Sequence, residues 1–524
     1  MYSLVDQRLN SLINAHQQNL LKNAKIGLER EALRVAADGN LVQTPHPLEL
    51  GSPLTHPWIT TDFSEALIEF ITPPMSDMGK VLEFLRESHT FAYAKLGREL
   101  LWATSMPCIL AGEESVPIAN YGRSNAGMMK QVYRRGLGYR YGRVMQVIAG
   151  IHFNYSMNES FWPVFQSLDK NTGLLKDFTS SAYFGMIRNL QRYGWIIPYL
   201  FGASPTVCVS YLGDQPTDME KFDDTTYYYP YATSLRMGDI GYQNNKEHEI
   251  GFKACYHSLD DYINSLTRGI ETPCPKYQKI GVIVNGEYRQ LNANLLQIEN
   301  EYYSTVRPKQ VPSNNEKPTL ALKERGVQYV ELRSLDINAH TPLGVTEPQL
   351  RFLEAFMVFC LLQKSPPVSR QESREIDLNL GLAAHRGRDP SLHLQRHGQA
   401  ITLKIWAEEI CDAMQGICEL LDRGEKNSLY TAVLESQREA IKDADRTPSA
   451  IMIAEMRKNQ ESFHEFAKRL SNQNLQYFKT QHLSQQKELF YSLESQKSIR
   501  KQSEIEQADE LSFEAYLQRY FAQS

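Results

Sequence analysis

Oily and hydrogen-bonding side chains alternate at strand spacing in four short stretches of the chain: Gly27 to Glu31, Ala66 to Thr72, Gln146 to Tyr155 and Tyr329 to Arg333. Residues two apart in an extended strand share a face. Glu29 and Glu31 therefore stand together, as do Tyr329, Glu331 and Arg333, with Val330 and Leu332 pointing the other way. In the third stretch Gln146, His152 and Asn154 fall on one side, and Val147, Ile151, Phe153 and Tyr155 on the opposite one. Residues 66–72 are rich in β-branched and aromatic types and stop at Pro73-Pro74, which predicts a strand whose one charged side chain is Glu69. Read as a helix, the same region would instead line up Asp62, Glu65 and Glu69.

Helical spacing appears between and after these stretches. Residues 78–97 carry Val81, Leu82, Phe84, Leu85 and Ala92 at helical intervals, and residues 180–193 do so with Tyr183, Phe184, Ile187 and Leu190. Both are expected to cover the oily side of a sheet. After about Leu392 glycines become rare, and Ile405, Ile410, Met414, Ile417, Leu420 and Leu421 set a helical rhythm. The chain is thus expected to divide into a catalytic part, 1–392, and a helical part, 393–524, packed on it.

Among 524 residues, 56 are basic and 61 acidic, a net charge of -5 with no basic stripe, so nucleic acid is not expected as a partner. No apolar run reaches membrane-spanning length, and residues 1–23 lack the unbroken apolar core of a signal peptide. The seven cysteines (Cys108, Cys208, Cys255, Cys274, Cys360, Cys411, Cys418) are dispersed and odd in number. Neither a disulfide framework nor a zinc knuckle is expected, and a reducing cytoplasm fits.

The chemistry lies in the wet faces of the strands. Carboxylates crowded on one face repel and are driven to protonate unless cations neutralise them. Oxygen-rich ligation with a single imidazole suits Mg²⁺ or Mn²⁺ better than zinc, and magnesium held by a few carboxylates usually shares its sphere with nucleotide phosphates. ATP is the expected partner. Arg307-Pro308-Lys309 offers two cations, on an expected rigid turn, to phosphate oxygens. The aromatic run from Tyr227 to Arg236 either closes over a small polar ligand or packs as a tyrosine-rich loop.

Several longer segments resemble the proteobacterial glutamate-cysteine ligase family. They include Gly27 to Glu31, Leu54 to His56, Trp58 to Phe63, Glu69 to Pro73, Arg140 to Gly142, Gly194 to Pro205, Pro230 to Arg236, Leu296 to Glu301 and Arg333 to Asn338. The resemblance fades after about Asn338. It implies an α+β, glutamine-synthetase-like fold, in which a curved and mostly antiparallel β-sheet cradle is covered by helices. It further implies Glu29, Glu31, Asp62, Glu69, His152 and Glu331 as the metal shell, and Arg333 as the contact to the transferring phosphate. Arg236, Gln146 and Asn154 would bind glutamate, with Tyr133, Phe63 and Tyr242 around cysteine. The expected reaction is ATP-dependent joining of the L-glutamate γ-carboxylate to the amine of L-cysteine through a γ-glutamyl phosphate, opening glutathione biosynthesis. Asp62 could serve as a ligand or accept the amine's proton. A monomer is expected, and the length leaves no room for a fused second ligase. Rival readings are a ligase using another amine, a guanidino phosphotransferase and a silent nucleotide-binding regulator.

Overall fold

A computed structural model describes residues 2–241, 252–313, 315–425 and 427–523. Its centre is a sheet of seven strands: β1 (Lys25–Val35), β2 (Ile59–Thr61), β3 (Leu67–Ile71), β4 (Leu100–Leu101), β5 (Ile151–Ser156), β6 (Val306–Lys309) and β7 (Tyr329–Leu335). The spatial order is β6-β7-β5-β1-β3-β2, with β4 on the end of β1, and every pairing is antiparallel. The 11-residue β1 pairs with three neighbours and so fixes the register of the whole floor. Glu29 lies opposite His152 on one side and Ile71 on the other, Glu31 lies opposite Glu69, and Glu331 lies between Asn154 and Arg307. Since cross-strand partners share a face, the pairings collect the polar residues of five strands on one side.

The opposite face is oily. Leu28, Ala32, Ile68, Phe70, Ile151, Phe153, Tyr155, Val330 and Leu332 are all buried. Helices α1 (Met78–Tyr93), α2 (Asn125–Tyr141), α3 (Leu175–Tyr193) and α4 (Glu347–Leu362) follow in the chain, and of these α1 and α3 lie against strands of the sheet. Helix α4 is buried nearly all round and packs on both α1 and α3, as an apolar helix must. The alternation of β1 also sends Arg30 into this layer, beside Tyr93, and burial pushes its guanidinium down to about 10.

Beyond residue 392 come α5 (Leu403–Asp422), α6 (Phe463–Thr480), α7 (Gln485–Gln507) and α8 (Phe513–Phe521). One hydrophobic cluster runs from Val5 through the sheet to Trp406, Phe463 and Tyr491, so α5, α6 and α7 share the core of the strands. Helix α7 lies back over α1 and the turn at residues 48–50. Gly51 makes that approach possible: its φ is +89°, and a Cβ there would stand 2.9 Å from the Ser495 Cα. Helix α8 rests on α2 through Leu517 against Met129 and Val132, and Lys317 Nζ ties its end down by donating to the carbonyls of Phe521 and Gln523 at 2.8 Å.

The structure corrects four expectations. Gln146 sits on a single 3₁₀ turn, Val144–Val147, ahead of β5, which begins only at Ile151. Arg307 and Lys309 stand on β6, an edge strand rather than a turn; Pro308 is tolerated there because an edge leaves one row of donors unused. Tyr227 and Tyr228 lie in a separate three-stranded sheet. Cys108 and Cys208, 100 residues apart, form a disulfide with Cα atoms 5.5 Å apart, a pairing made by the fold that no sequence spacing announces. Among the described residues no helix is long and apolar enough to cross a membrane.

Glu354 of α4 is 3% exposed and accepts a hydrogen bond from the Tyr430 hydroxyl. Burial pushes its carboxyl up from 4.5 to about 7, against the opposing pull of Tyr430 and Arg351. A carboxyl whose folded value is raised adds stability below its unfolded value, and loses it as pH climbs through the folded one. Wild type should therefore lose about 3 kcal/mol between pH 4 and pH 8 that Glu354→Gln does not lose. Urea denaturation of both proteins across that range checks it, and parallel curves would refute it.

Candidate active site

The polar face of the sheet floors a cavity of about 480 Å³. Histidine 152 is its hub. His152 Nδ1 is 2.9 Å from Glu29 Oε2 and 3.9 Å from Glu331 Oε1, and its Nε2 is 3.7 Å from Glu31 Oε1. Asn154 Nδ2 donates to Glu29 Oε1 at 2.9 Å, which leaves Asn154 Oδ1 buried without a hydrogen bond. The Gly150 amide donates to Glu31 Oε2 at 2.6 Å. Cations approach from the β6 side: Lys309 Nζ is 3.1 Å from Glu331 Oε1, and an Arg333 terminal nitrogen is 3.2 Å from Glu331 Oε2.

Electrostatics divide the floor in two. At the β7 end burial works against the Glu331 charge, but Lys309, Arg333, His152 and Arg307 together outweigh it and hold the carboxyl well below its usual range. At the β3 end burial, then Glu29, Asp62 and Glu31, push the Glu69 carboxyl well above its usual range. Burial likewise raises Glu31, with Asp62 adding to it and His152 opposing. Glu69 thus carries a repulsion that no side chain present relieves in full.

Can these residues hold a metal? One donor atom each from Glu29, His152 and Glu331 falls within 4.8 Å of the others, and Glu31, Glu69 and Asp62 line the same cavity. Five carboxylates and one imidazole form the hard, oxygen-rich set that Mg²⁺ and Mn²⁺ prefer, and a cation would relieve the repulsion at Glu69. The donor set fits.

Most residues singled out from sequence meet here. Glu29, Glu31, Asp62, Phe63, Glu69, Tyr133, Gln146, His152, Arg307, Lys309, Glu331 and Arg333 all line the cavity. Asn154 and Arg236 do not. Arg236 is 4% exposed, donates to the Arg333 carbonyl at 2.8 Å and lies 3.6 Å from Asp336 Oδ1, flush against Gly150. Tyr242 falls outside the described residues. Other lining residues were not foreseen: Lys130 and Arg134 from α2, and Tyr516 and Tyr520 from α8. Each pair is spaced i, i+4 on its helix, a visible signal of a shared face, but which face meets the cavity is decided by packing. Arg134 grips the Asp62 loop, its Nε donating to the Asp62 carbonyl at 2.5 Å and a terminal nitrogen lying 3.9 Å from Asp62 Oδ1.

A bed of carboxylates that needs counter-charge, laid on an antiparallel sheet beside cations suited to phosphate, is what an ATP-dependent ligase requires, and comparison with known proteins gives that class. The family model for glutamate-cysteine ligase matches residues 9–382. The glutamate-cysteine ligase of Pseudomonas entomophila is 46% identical over 519 residues, 99% of this chain and 97% of that protein, and the one of Alcanivorax borkumensis is 44% identical over 523 residues, 99% of each. The chain belongs to the glutamate-cysteine ligase family. The crystal structure of the Francisella tularensis glutamate-cysteine ligase in complex with AMP superposes with a TM-score of 0.89 at 33% identity, covering 95% of this chain and 97% of that one. A bifunctional glutathione synthetase from Pasteurella multocida, 22% identical with a TM-score of 0.69 over 92% of this chain and 57% of that one, shares the fold. Kinship with the relatives runs the full length, well past Asn338, where the sequence resemblance had faded.

If the carboxylate floor takes up cations, Mg²⁺ should stabilise the protein by mass action, by about 2.7 kcal/mol at a hundredfold excess over its dissociation constant. Glu331→Gln should lose most of that gain while remaining folded. Thermal melts of both proteins in EDTA and in Mg²⁺ measure it; equal shifts would place Glu331 outside the metal shell.

Proposed function

We propose that Glu29, Glu31, Asp62, Glu69, His152 and Glu331 bind Mg²⁺, with Mn²⁺ as a substitute, for a reaction whose outcome the family defines: ATP-dependent joining of L-glutamate to L-cysteine. The products are γ-glutamylcysteine, ADP and phosphate, and the reaction opens glutathione biosynthesis. The observation that carries the metal assignment is Glu331, one carboxylate shared between the His152 and Glu29 cluster and the cations Lys309 and Arg333.

A carboxylate resists attack by an amine, since its charge is delocalised and oxide is a poor leaving group. Phosphorylation of the γ-carboxylate gives an acyl phosphate that the cysteine amine can open. When bound, Mg²⁺ supplies the positive charge that lets the ATP phosphates and the glutamate carboxylate approach. Arg333 is positioned by its contact with Glu331 to meet the transferring phosphoryl group, and Arg307 and Lys309 extend that positive edge along β6 for the rest of the nucleotide. Asn154 Oδ1, buried without a partner, and Gln146 are suited to the glutamate ammonium. Phe63 and Tyr133 line the side of the cavity nearer α2 and would flank cysteine, the role also proposed for Tyr242. The amine must lose a proton to attack, and its ordinary value is near about 8, so a nearby anion has to take it; we assign this to Asp62. The proposal extends to a monomer acting in the cytoplasm.

We assign Arg236, packed against Gly150, to the glutamate α-carboxylate, which a planar guanidinium can hold by two parallel bonds and a lysine ammonium cannot. Arg236→Lys is expected to raise the KM for glutamate at least tenfold, about 1.4 kcal/mol, with a smaller loss of kcat. An unchanged KM in steady-state kinetics removes the assignment.

Mass spectrometry of the products from ATP, Mg²⁺, glutamate and cysteine tests the reaction directly. γ-Glutamylcysteine and equimolar ADP are expected. A γ-glutamyl adduct formed preferentially with another amine from a panel would instead favour a ligase of different acceptor, and a phosphagen would indicate a phosphotransferase.

A further inference from the structure

A second group of metal-binding side chains lies outside the catalytic cavity. Cys255 and His257 precede the helix Leu259–Glu271, and Asp261 is in its first turn. One donor atom from each, a sulfur, an imidazole nitrogen and a carboxylate oxygen, falls within 4.8 Å of the other two. Cys255 is half-buried, while His257 and Asp261 are exposed, so an ion has a path in.

Each donor is held by a neighbour. His257 Nε2 lies 3.0 Å from the Val368 carbonyl, an acceptor to which it can only donate, so that Nδ1 keeps the ring's lone pair. The Ser258 hydroxyl donates to Asp261 Oδ2 at 2.7 Å. The Cys255 amide donates to Ser265 Oγ at 3.1 Å, and Arg188 pins the intervening backbone by donating to the carbonyls of Tyr256 at 3.1 Å and His257 at 2.7 Å. Outer partners of this kind orient metal ligands and commonly set the tautomer of a ligating histidine.

We infer that Cys255, His257 and Asp261 form a binding site for a borderline-soft divalent cation of the zinc class, separate from the catalytic floor. A thiolate with an imidazole discriminates against Mg²⁺ and Ca²⁺, which take oxygen ligands, and favours Zn²⁺ or Co²⁺. Three protein donors leave a tetrahedral ion one open position. Cys255 and His257 also line a second cavity of about 660 Å³, so the open position has room for water or a small ligand. The two sites sort metals by hardness: five carboxylates and one imidazole in the catalytic cavity, and one donor of each kind here.

Co²⁺ titration of the full-length protein in excess Mg²⁺ tests the site, because only sulfur ligation produces a thiolate-to-cobalt charge-transfer band in the near ultraviolet. Wild type should develop the band with a stoichiometry of one, and Zn²⁺ should abolish it. Cys255→Ser should lose it, whereas Cys274→Ser and Glu331→Gln should keep it. His257→Ala and Asp261→Asn should weaken cobalt binding by more than about tenfold, as loss of even an outer partner costs that much. Circular dichroism shows that each variant is folded. No band in wild type, or a band that survives Cys255→Ser, overturns the site; neither result bears on the ligase reaction.

Discussion

Like charges held close together organise this molecule. Glu29, Glu31, Asp62, Glu69 and Glu331 line one cavity, four of them projecting from strands of the same sheet. Left to themselves they would move apart or take up protons, as the raised Glu69 carboxyl indicates. The sheet prevents the first. β1 is paired along its length with β3 and β5, so Glu29 and Glu31 cannot leave without breaking a ladder whose other face carries Leu28, Ala32, Phe70 and Phe153 in the core. Burial of the oily face is what keeps the polar face assembled, and strict alternation along one strand links the two.

The compressed charge also has a direction. Lys309, Arg333 and Arg307 hold Glu331 ionised at the β6 and β7 end, whereas at Glu69 burial and the neighbouring carboxylates prevail although Lys130 and Arg134 stand nearby. The cluster of Glu29, His152 and Glu331 lies beside those cations, so positive and negative groups meet at that end. The chain closes the cavity with its own last helix: Tyr516 and Tyr520 reach the rim because α8 is fastened to α2 and to Lys317. A helical segment that reads as outer cover thereby lines the place where reactants meet.

What the sequence disclosed follows from how regular each element is. β1 and the start of β7 keep a two-residue period, so Glu29, Glu31 and Glu331 could be assigned to one face without coordinates, and Arg333 stays on it although the register with β5 shifts after Leu332. The same period failed at Gln146, because residues 144–147 form a 3₁₀ turn and the strand starts only at Ile151; Gln146 reaches the cavity, though by another route. Pro308 looked like a turn residue because sequence does not show that a strand lies at the edge of its sheet. Lys130, Arg134, Tyr516 and Tyr520 were invisible for a different reason: helical spacing names a face, but only packing decides what the face looks at. The Cys108–Cys208 bond is the extreme case, two residues joined by tertiary structure alone.

Asp62 shows how unequal the five carboxylates are. Its side chain is 35% exposed, against 19% for Glu29, 8% for Glu31 and 1% for Glu331. It lies on the loop after β2, not on a strand, and that loop is held through its main chain: the Asp62 carbonyl accepts from Arg134 Nε at 2.5 Å and from the Tyr121 hydroxyl at 2.9 Å. Anchoring by the carbonyl leaves the carboxylate placed, its ion pair among the described residues being the 3.9 Å contact with Arg134. The proton-accepting role proposed for Asp62 is in keeping with that fixed loop and its partly exposed carboxylate, whereas Glu331, locked between Lys309 and Arg333, could take a proton only by giving up both.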